Sequence, residues 1–393
     1  MSRDVGVVGG SAAGLFTAYL LSRAGRRVRV LECAEDLEPK PRTLIVTEFL
    51  NEILGGIGKP AVVNEIRHFE LFTDGRKAAI TLRRPDLVIE RTKLIRELAA
   101  AAQKSGVELL LGRRFVSLEQ NNNHLALQTE RSRDGAAEEL HVDTVVGADG
   151  ARSRVAQAAG WPAQKTVPLV QAAVALPPGM NSDTTRVWFI PDDTPYFYWL
   201  IPDSPDRGVV GLIGEDGPMA RRALDRFLDK HHLEPLEYQA ARIPVYSKWI
   251  PVRRRLGSGD VYLVGDAAGH VKVTTVGGIV TGFRGAHGVA ETILNDGRTG
   301  HRLNALRREL GVHWLVRKLL HNFTQTHYSH LVDLLSVRAR QDLETYTRDE
   351  PAQMLWHLCL HQPRFLLVAL RAFLTGVATP RRPETESLGS ISS

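Results

Sequence analysis

Between Asp4 and Glu32 the chain leaves itself very few folds. Asp4-Val5-Gly6-Val7-Val8 is an apolar run of strand length, GGSAAG follows from Gly9 to Gly14, and LFTAYLLSRAG then has helical periodicity and closes on Gly25. A second strand-like run, Arg27 to Leu31, ends on Glu32. Strand, glycine loop, helix, strand and terminal acid in that order form the dinucleotide-binding fingerprint, with Ser11 in place of its middle glycine. Each position has a physical task. Gly9 makes the tight turn, Ser11 is small enough to let a pyrophosphate approach the backbone, Ala12 and Ala13 complete the small-residue loop, and Gly14 lets the helix lie against the strand. The helix N-terminus faces the phosphates, and Glu32 can accept the ribose hydroxyls. An acid there disfavours a 2′-phosphate, so the implied ligand is FAD or NAD rather than NADP.

Two later segments repeat the strand-into-glycine pattern. Val142 to Val146 runs into Gly147-Ala148-Asp149-Gly150, and Val261 to Val264 runs into GDAAGHVKVTTVGGI, Gly265 to Ile279. In an open parallel sheet, ligands gather outside the carboxyl ends of the strands, so the three loops are expected to be neighbours. A helix is expected over about Arg91 to Lys104, followed by a strand from Val107 to Leu111 and a polar meander through Asn121 to His124.

Between these segments the periodicity changes from helical to alternating. Ile66 to Leu82 reads as a hairpin around Thr73-Asp74-Gly75, and Gln171–Leu176, Thr185–Ile190, Tyr196–Ile201 and Gly208–Ile213 are strand candidates separated by Pro, Asp and Gly. They suggest one antiparallel sheet inserted into the nucleotide domain, with a helix over Pro218 to Lys230. After about Gly300 the pattern is helical. The expected organisation is α/β: a Rossmann-like FAD-binding domain from residues 1–65, 83–162 and 252–298, an inserted antiparallel-sheet substrate domain from 66–82 and 163–251, a helical C-terminal region over 299–380, and a disordered tail over 381–393.

Composition narrows the function classes. A formal charge of +6 over 393 residues, with Arg253-Arg254-Arg255 the longest basic run, gives no nucleic-acid footprint. Two cysteines, Cys33 and Cys359, form no CxxC pair, so neither a cysteine metal site nor a redox disulfide is expected, and no metal is assigned. The reading is a cytoplasmic protein without signal peptide or spanning helix. FLLVALRAFLTGVA, Phe365 to Ala378, interrupted by Arg371, reads as a buried amphipathic helix, with peripheral membrane contact as the alternative.

With these motifs in order, the chain resembles the FAD-dependent oxidoreductases of the para-hydroxybenzoate hydroxylase-like fold. Within that superfamily, GDAAGHVKVTTVGGI is similar to the corresponding segment of the geranylgeranyl reductase family, and FYWLIP, Phe197 to Pro202, is similar to its Y-x-W-x-F-P segment. The chain departs at Phe197 and Ile201, and PRTLIVT, Pro41 to Thr47, lacks the cysteine-glycine loop of archaeal members. The resemblance implies that Asp149-Gly150 and Gly265-Asp266 meet the flavin's ribityl and pyrophosphate, and that Arg42, Thr43 and Arg91 hold its phosphates or ribityl chain. Backbone N–H groups of Gly277, Gly278 and Ile279, at a helix start, are placed to stabilise negative charge on a reduced flavin. His270 and Lys272 are candidate proton donors, against a role in charge balance. On the aromatic strand, alternation predicts that Tyr196 and Tyr198 share one face and Phe197 and Trp199 the other, with Tyr196, Tyr198 and Trp199 the candidate substrate contacts. His287 reads as structural.

Two enzymatic readings follow. One is a flavin reductase that adds hydrogen across carbon-carbon double bonds of a prenyl lipid or prenylated quinone, with NAD(P)H or a ferredoxin as transient electron donor. The alternative is a flavin monooxygenase or halogenase acting on an aromatic or polyketide-like molecule, since FYWLIP is one residue from the W-x-W-x-I-P pattern of halogenases. A non-enzymatic flavoprotein is the third. Oligomeric state is not readable.

Overall fold

The computed structural model describes residues 4–39, 42–120, 124–368 and 371. Its nucleotide-binding layer is a six-stranded sheet in the order Arg253–Leu256, Gly259–Leu263, Thr144–Gly147, Asp4–Val8, Arg27–Leu31, Glu108–Leu110. All neighbours pair parallel except the Arg253–Leu256 edge. The three strands that end in glycine loops are therefore adjacent, with Val8 opposite Gly147 and Gly147 opposite Leu263. Helices Ala12–Arg23, Arg91–Lys104 and Ile279–Leu294 cover this sheet. Their inward side chains, Phe16, Leu98 and Phe283 among them, are almost fully excluded from water. Burying side chains of this size contributes about 1.5–3 kcal/mol each, which fixes the loops on a rigid base.

The second layer is an eight-stranded sheet whose order runs Pro235–Pro244, Thr166–Ala175, Arg207–Ile213, Tyr198–Pro202, Thr184–Trp188, Val62–Thr73, Arg76–Glu90, Thr43–Val46. It differs from the sequence expectation in three ways. Its hairpin runs from Val62 to Glu90, longer than Ile66 to Leu82, because bulges near Val62 and Ile66 let the strands bend and keep pairing. Thr184–Trp188 pairs parallel with Val62–Thr73, so the sheet is mixed rather than purely antiparallel. Thr43–Val46 and Pro235–Pro244 supply the two edges. The polar meander forms a separate three-stranded sheet, Arg113–Gln120, Leu125–Arg131 and Ala137–Val142.

Gly217–Lys230 is the expected helix, capped by Asp216, whose carboxylate accepts the Met219 N–H at 2.9 Å, and it packs Leu224, Phe227 and Leu228 onto one face of the mixed sheet. The chain continues as helices His301–Leu320, Gln325–Asp333, Val337–Thr345 and Pro351–His361. Most of the Phe365–Ala378 segment and the whole 381–393 tail lie outside the described residues. Among the described residues, no helix is long and apolar enough to cross a membrane.

Candidate functional site

A single cavity of about 1290 Å³ runs from the glycine loops, across the open face of the mixed sheet, to the C-terminal helices. Its first end is shaped by backbone. Gly9 sits at φ 107°, and a Cβ there would come within 2.6 Å of the Ala148 carbonyl oxygen; one on Gly14 would overlap the Gly9 carbonyl and stand 2.8 Å from the Ala148 Cβ. A Cβ on Gly265, at φ 60°, would stand 3.0 Å from the Ala13 Cβ. The loops interlock at distances only glycine permits. Ser11 caps the helix, its Oγ accepting the Gly14 N–H at 3.2 Å. Glu32 is pinned at the end of its strand, accepting the N–H of Gly10 at 2.7 Å and of Ala34 at 2.9 Å. Gly9, Gly10, Ser11, Ala12, Ala13 and Glu32 all line the cavity.

The second and third loops close on the first. Asp149 lies at the cavity wall, but its carboxylate is engaged locally, accepting from Ser153 Oγ at 2.5 Å and from the N–H groups of Arg154 and Val155 at 2.7 and 3.2 Å. It thereby holds the Gly150 turn, φ 84°, and the start of helix Arg154–Ala158. Burial raises the Asp149 carboxyl against the lowering effect of those hydrogen bonds. Gly265 to Ala268 makes one 3₁₀ turn whose carbonyls are held by Gln164, with Nε2 donating to Asp266 O and Ala267 O at 2.9 Å each. Asp266 faces the cavity beside Arg42 and Arg91. Burial raises its carboxyl, and the two guanidinium charges oppose the shift. Arg42 in turn is pushed down by burial and by Arg91, and its buried Nε has no protein partner. Two cations held close together, one with an unsatisfied buried donor, fit an anionic ligand between them. Thr43 also lines the cavity, and its Oγ1 donates to Asp203 Oδ2 at 3.0 Å.

Gly278 is the N-cap of helix Ile279–Leu294, as expected, and a Cβ there would be 3.2 Å from both Asp266 Oδ1 and the Val271 side chain. The preceding Val276 has φ 53°, a left-handed conformation a β-branched residue rarely adopts, and it too lines the cavity. Such strain concentrates at ligand-facing loops. These glycine approaches, the pinned acid, the arginine pair and the helix start together fit an extended dinucleotide.

The other end is walled by side chains. Trp199 lies flat on the sheet because its cross-strand neighbour is Gly211, where a Cβ would come within 2.6 Å of the indole. Tyr196, Phe197 and Ile201 line the cavity with it. Tyr198 does not, and the expected pairing of Tyr196 with Tyr198 on one face fails. The strand begins only at Tyr198, so Tyr196 lies in the preceding turn and strand alternation does not govern it. Tyr198 faces the opposite layer, stacked on Phe227 with centroids 4.3 Å apart and donating to Asp193 Oδ2 at 2.9 Å. His270, expected as a proton donor, is likewise turned away. Its ring is fully buried, stacked on Trp249 at 5.6 Å and pressed against Gly285, and burial pushes its pKa down to about 3. A buried imidazole outside the cavity wall, uncharged at neutral pH, is not placed to act as an acid on a substrate there.

Lys272 does line the cavity, and its Nζ is ion-paired with Asp349, 77 residues on. Asp349 also accepts from Thr47 Oγ1 at 2.5 Å. Burial would raise the Asp349 carboxyl, but the Lys272 charge and the hydrogen bonds from Lys272 and Thr47 outweigh it and hold the group low. Further side chains join this polar belt: Arg348 Nη2 on Asp86 at 2.5 Å, His313 Nδ1 on Thr274 Oγ1 at 2.6 Å, Glu309 paired with Arg284, and Arg317 stacked 3.8 Å over Tyr196. Nothing in the sequence gives Thr47, Asp86, Glu309, His313, Arg317, Arg348 or Asp349 a role. Glu309, His313, Arg317, Arg348 and Asp349 sit in no motif and reach the belt through the C-terminal helical region, while Thr47 and Asp86, on or just after sheet strands, are marked only by the partners that region supplies.

The family described as FAD binding domain matches residues 2–302 of this chain. A digeranylgeranylglycerophospholipid reductase of Methanothermobacter thermautotrophicus is 28% identical over 307 residues, covering 71% of this chain and 74% of that protein. A geranylgeranyl bacteriochlorophyll reductase-like structure from Thermoplasma acidophilum superposes with a TM-score of 0.79 at 19% identity, covering 94% of this chain and 99% of that one. A flavin-dependent brominase superposes less well, with a TM-score of 0.68 at 14% identity, over 96% of this chain and all of the other. The matched segment runs through all three glycine loops at the cavity: the chain belongs to the FAD binding domain family and is an FAD-dependent oxidoreductase.

Proposed function

We propose that the protein reduces carbon-carbon double bonds of a prenyl lipid or prenylated quinone. The observation that carries this reading is the cavity's continuity: one chamber of about 1290 Å³ joins the glycine loops to an apolar wall of Trp199, Phe197, Ile201, Leu320 and Met354, with Lys272 beside it. The names of the relatives support the same substrate class. Reduced FAD supplies a hydride when bound. We assign Gly9, Ser11, Ala12, Ala13 and Glu32 to its adenosine and pyrophosphate, with Gly14, behind the cavity wall, setting the loop's close approach, Arg42, Thr43, Arg91, Asp149, Gly150, Gly265 and Asp266 to its phosphates and ribityl chain, and Gly277, Gly278 and Ile279 to its ring. The Ile279 helix start favours negative charge in front of it. The sheet aromatics exclude water, and Tyr196 and Trp199 hold the chain flat over the reacting face. Lys272 Nζ, held at the cavity wall by its ion pair with Asp349, is the group assigned to give a proton to the second carbon.

The reductant is NAD(P)H or a reduced ferredoxin, distinguished by which of them bleaches the flavin absorbance in stopped flow. The lipid would arrive from a membrane surface: Trp356, Leu360, Leu366 and Leu367 are exposed on or just after the helix whose Met354 and Leu355 line the cavity. Flotation of the full chain with liposomes tests that contact. The reaction is tested by reducing the protein under anaerobic conditions and offering a geranylgeranyl lipid. A mass gain of two per double bond is expected. Rapid oxygen-dependent turnover of a phenolic or indole substrate, with no saturated lipid formed, would instead establish the monooxygenase or halogenase reading.

A further inference from the structure

Outside the cavity, three metal-ligating side chains converge where the last two complete helices meet. Asp342 lies on helix Val337–Thr345, and His357 and His361 lie one turn apart on helix Pro351–His361. One ligand atom from each falls within 4.8 Å of the other two. The Asp342 side chain is 8% exposed and that of His361 33% exposed, so the cluster opens outward over a buried carboxylate. Their positions are constrained. His361 Nδ1 is 2.8 Å from Asp342 Oδ2, and the His357 ring is stacked on Tyr346 with centroids 4.8 Å apart.

We propose that Asp342, His357 and His361 form a binding site for a divalent cation of the zinc class. Two histidines at i and i+4 on one helix and a carboxylate from a neighbour make up a nitrogen-rich three-ligand set that suits Zn²⁺, with a fourth position open to water. Bonds of about 2.0–2.1 Å in a tetrahedron place ligand atoms about 3.3 Å apart. His361 Nδ1 and Asp342 Oδ2 stand 2.8 Å apart, closer than that value, and all three ligand atoms lie within 4.8 Å of one another, so the set needs only small side-chain adjustments to reach it. Release of the His361–Asp342 hydrogen bond leaves no unpaired charge, because the cation takes both groups.

The location gives the site a consequence. The turn joining the two helices, Thr347 to Glu350, carries Arg348 and Asp349, which pair with Asp86 and Lys272 at the cavity. A cation bridging Asp342 to His357 and His361 therefore clamps the two helices that present this turn. It is a structural clamp behind the substrate chamber, separate from any flavin chemistry.

The test uses the full chain without a histidine tag. Zinc binding is followed by competition with a chromophoric chelator, and backbone hydrogen exchange over 337–361 is measured with and without Zn²⁺. One Zn²⁺ per chain is expected, with exchange slowed across the helices and the joining turn. Loss of an outer-sphere partner alone costs a metal site about 10–100-fold in affinity, so His357→Gln should weaken binding by at least about 100-fold. That variant leaves the His361–Asp342 hydrogen bond intact, so the apo fold should keep its melting temperature. No zinc uptake by the unaltered chain, uptake by His357→Gln or the double variant His357→Gln/His361→Gln as tight as by the unaltered chain, or uptake without slowed exchange over 337–361 would each overturn the proposal.

Discussion

The two ends of the cavity are built in different ways. At the nucleotide end the backbone does the shaping: Gly9, Gly14, Gly265 and Gly278 bring three loops together at spacings no side chain could share, and the two acids that hold the first two loops, Glu32 and Asp149, each accept backbone N–H groups, Glu32 from Gly10 and Ala34, Asp149 from Arg154 and Val155. At the substrate end the shape comes from side chains, and the polar groups are satisfied by residues far away in the chain, Thr47 by Asp349 and Asp86 by Arg348. The first end tolerates almost no added volume. The second tolerates almost no lost partner. Each contrast can be broken by substitution.

The largest effect is expected at the distant pair. Asp349→Ala strands the Lys272 ammonium, 6% exposed, without a counter-ion, and removing one member of a buried pair destabilises by about 3–5 kcal/mol. Lys272→Met with Asp349→Leu removes both charges and should recover most of that loss, since apolar replacement of a buried pair is often neutral. Urea unfolding of the two variants measures the difference. Equal destabilisation of the single and double variants would mean that packing, rather than the pair, holds the turn in place. The pair also has a sign in pH. The Asp349 carboxyl is held below its ordinary value of 3.8, so its contribution is complete above that value and is lost as pH falls through the folded pKa.

Glu309 belongs to the same belt and behaves in the opposite sense. Burial pushes its pKa from 4.5 to about 7, against the lowering effect of Arg284. The folded state thus holds a proton that the unfolded chain has released, and the associated stability is full below pH 4.5 and disappears as pH rises through about 7. The gap between 4.5 and about 7 corresponds to about 3 kcal/mol. His270 and His313, pushed down to about 3, work the other way and lose stability as pH falls below 6.5. The readout is therefore the gap between wild type and Glu309→Gln, measured by urea unfolding at pH 5 and pH 8. A gap unchanged between the two pH values would sink the assignment.

At the nucleotide end, Gly14→Val should cost about 1–3 kcal/mol by overpacking and should leave the purified protein colourless, because its side chain would occupy the space between Gly9 and Ala148. Melting temperature and flavin absorbance together separate the two losses. A variant that is folded, yellow and flavin-replete would break the claim that backbone alone shapes this end.

The same division explains what sequence reasoning could reach. The glycine loops, Glu32, Asp266 and the Ile279 helix start are legible because their chemistry requires particular residues at short fixed spacings, and the parallel strands that carry them are short apolar runs. Tyr198 and His270 were misplaced for a different reason. Alternation says which residues share a face, but it does not say where a strand begins, and Tyr196 falls before that point. A histidine beside a glycine-rich loop looks exposed in sequence; here Gly285 and Trp249 enclose it from elements the loop does not reveal. Lys272 was visible, but its partner was not, because nothing local in TRDEP, Thr347 to Pro351, marks Asp349 as buried.

The smallest expected effect sharpens this point on adjacent residues of one strand. Tyr198→Phe deletes one hydrogen bond to Asp193, which Arg226 still pairs at 3.0 Å, and should cost about 1 kcal/mol with no change in KM for the lipid. Trp199→Leu removes an indole that lies on Gly211 and faces the chamber, so it should raise KM while leaving flavin retention intact. Steady-state kinetics on the two variants compare opposite faces of the same backbone at a separation of one residue. If Tyr198→Phe raised KM as much as Trp199→Leu, the chamber would have to be reached through the Phe227 layer, and the wall assigned to Trp199 would be the wrong side of the sheet.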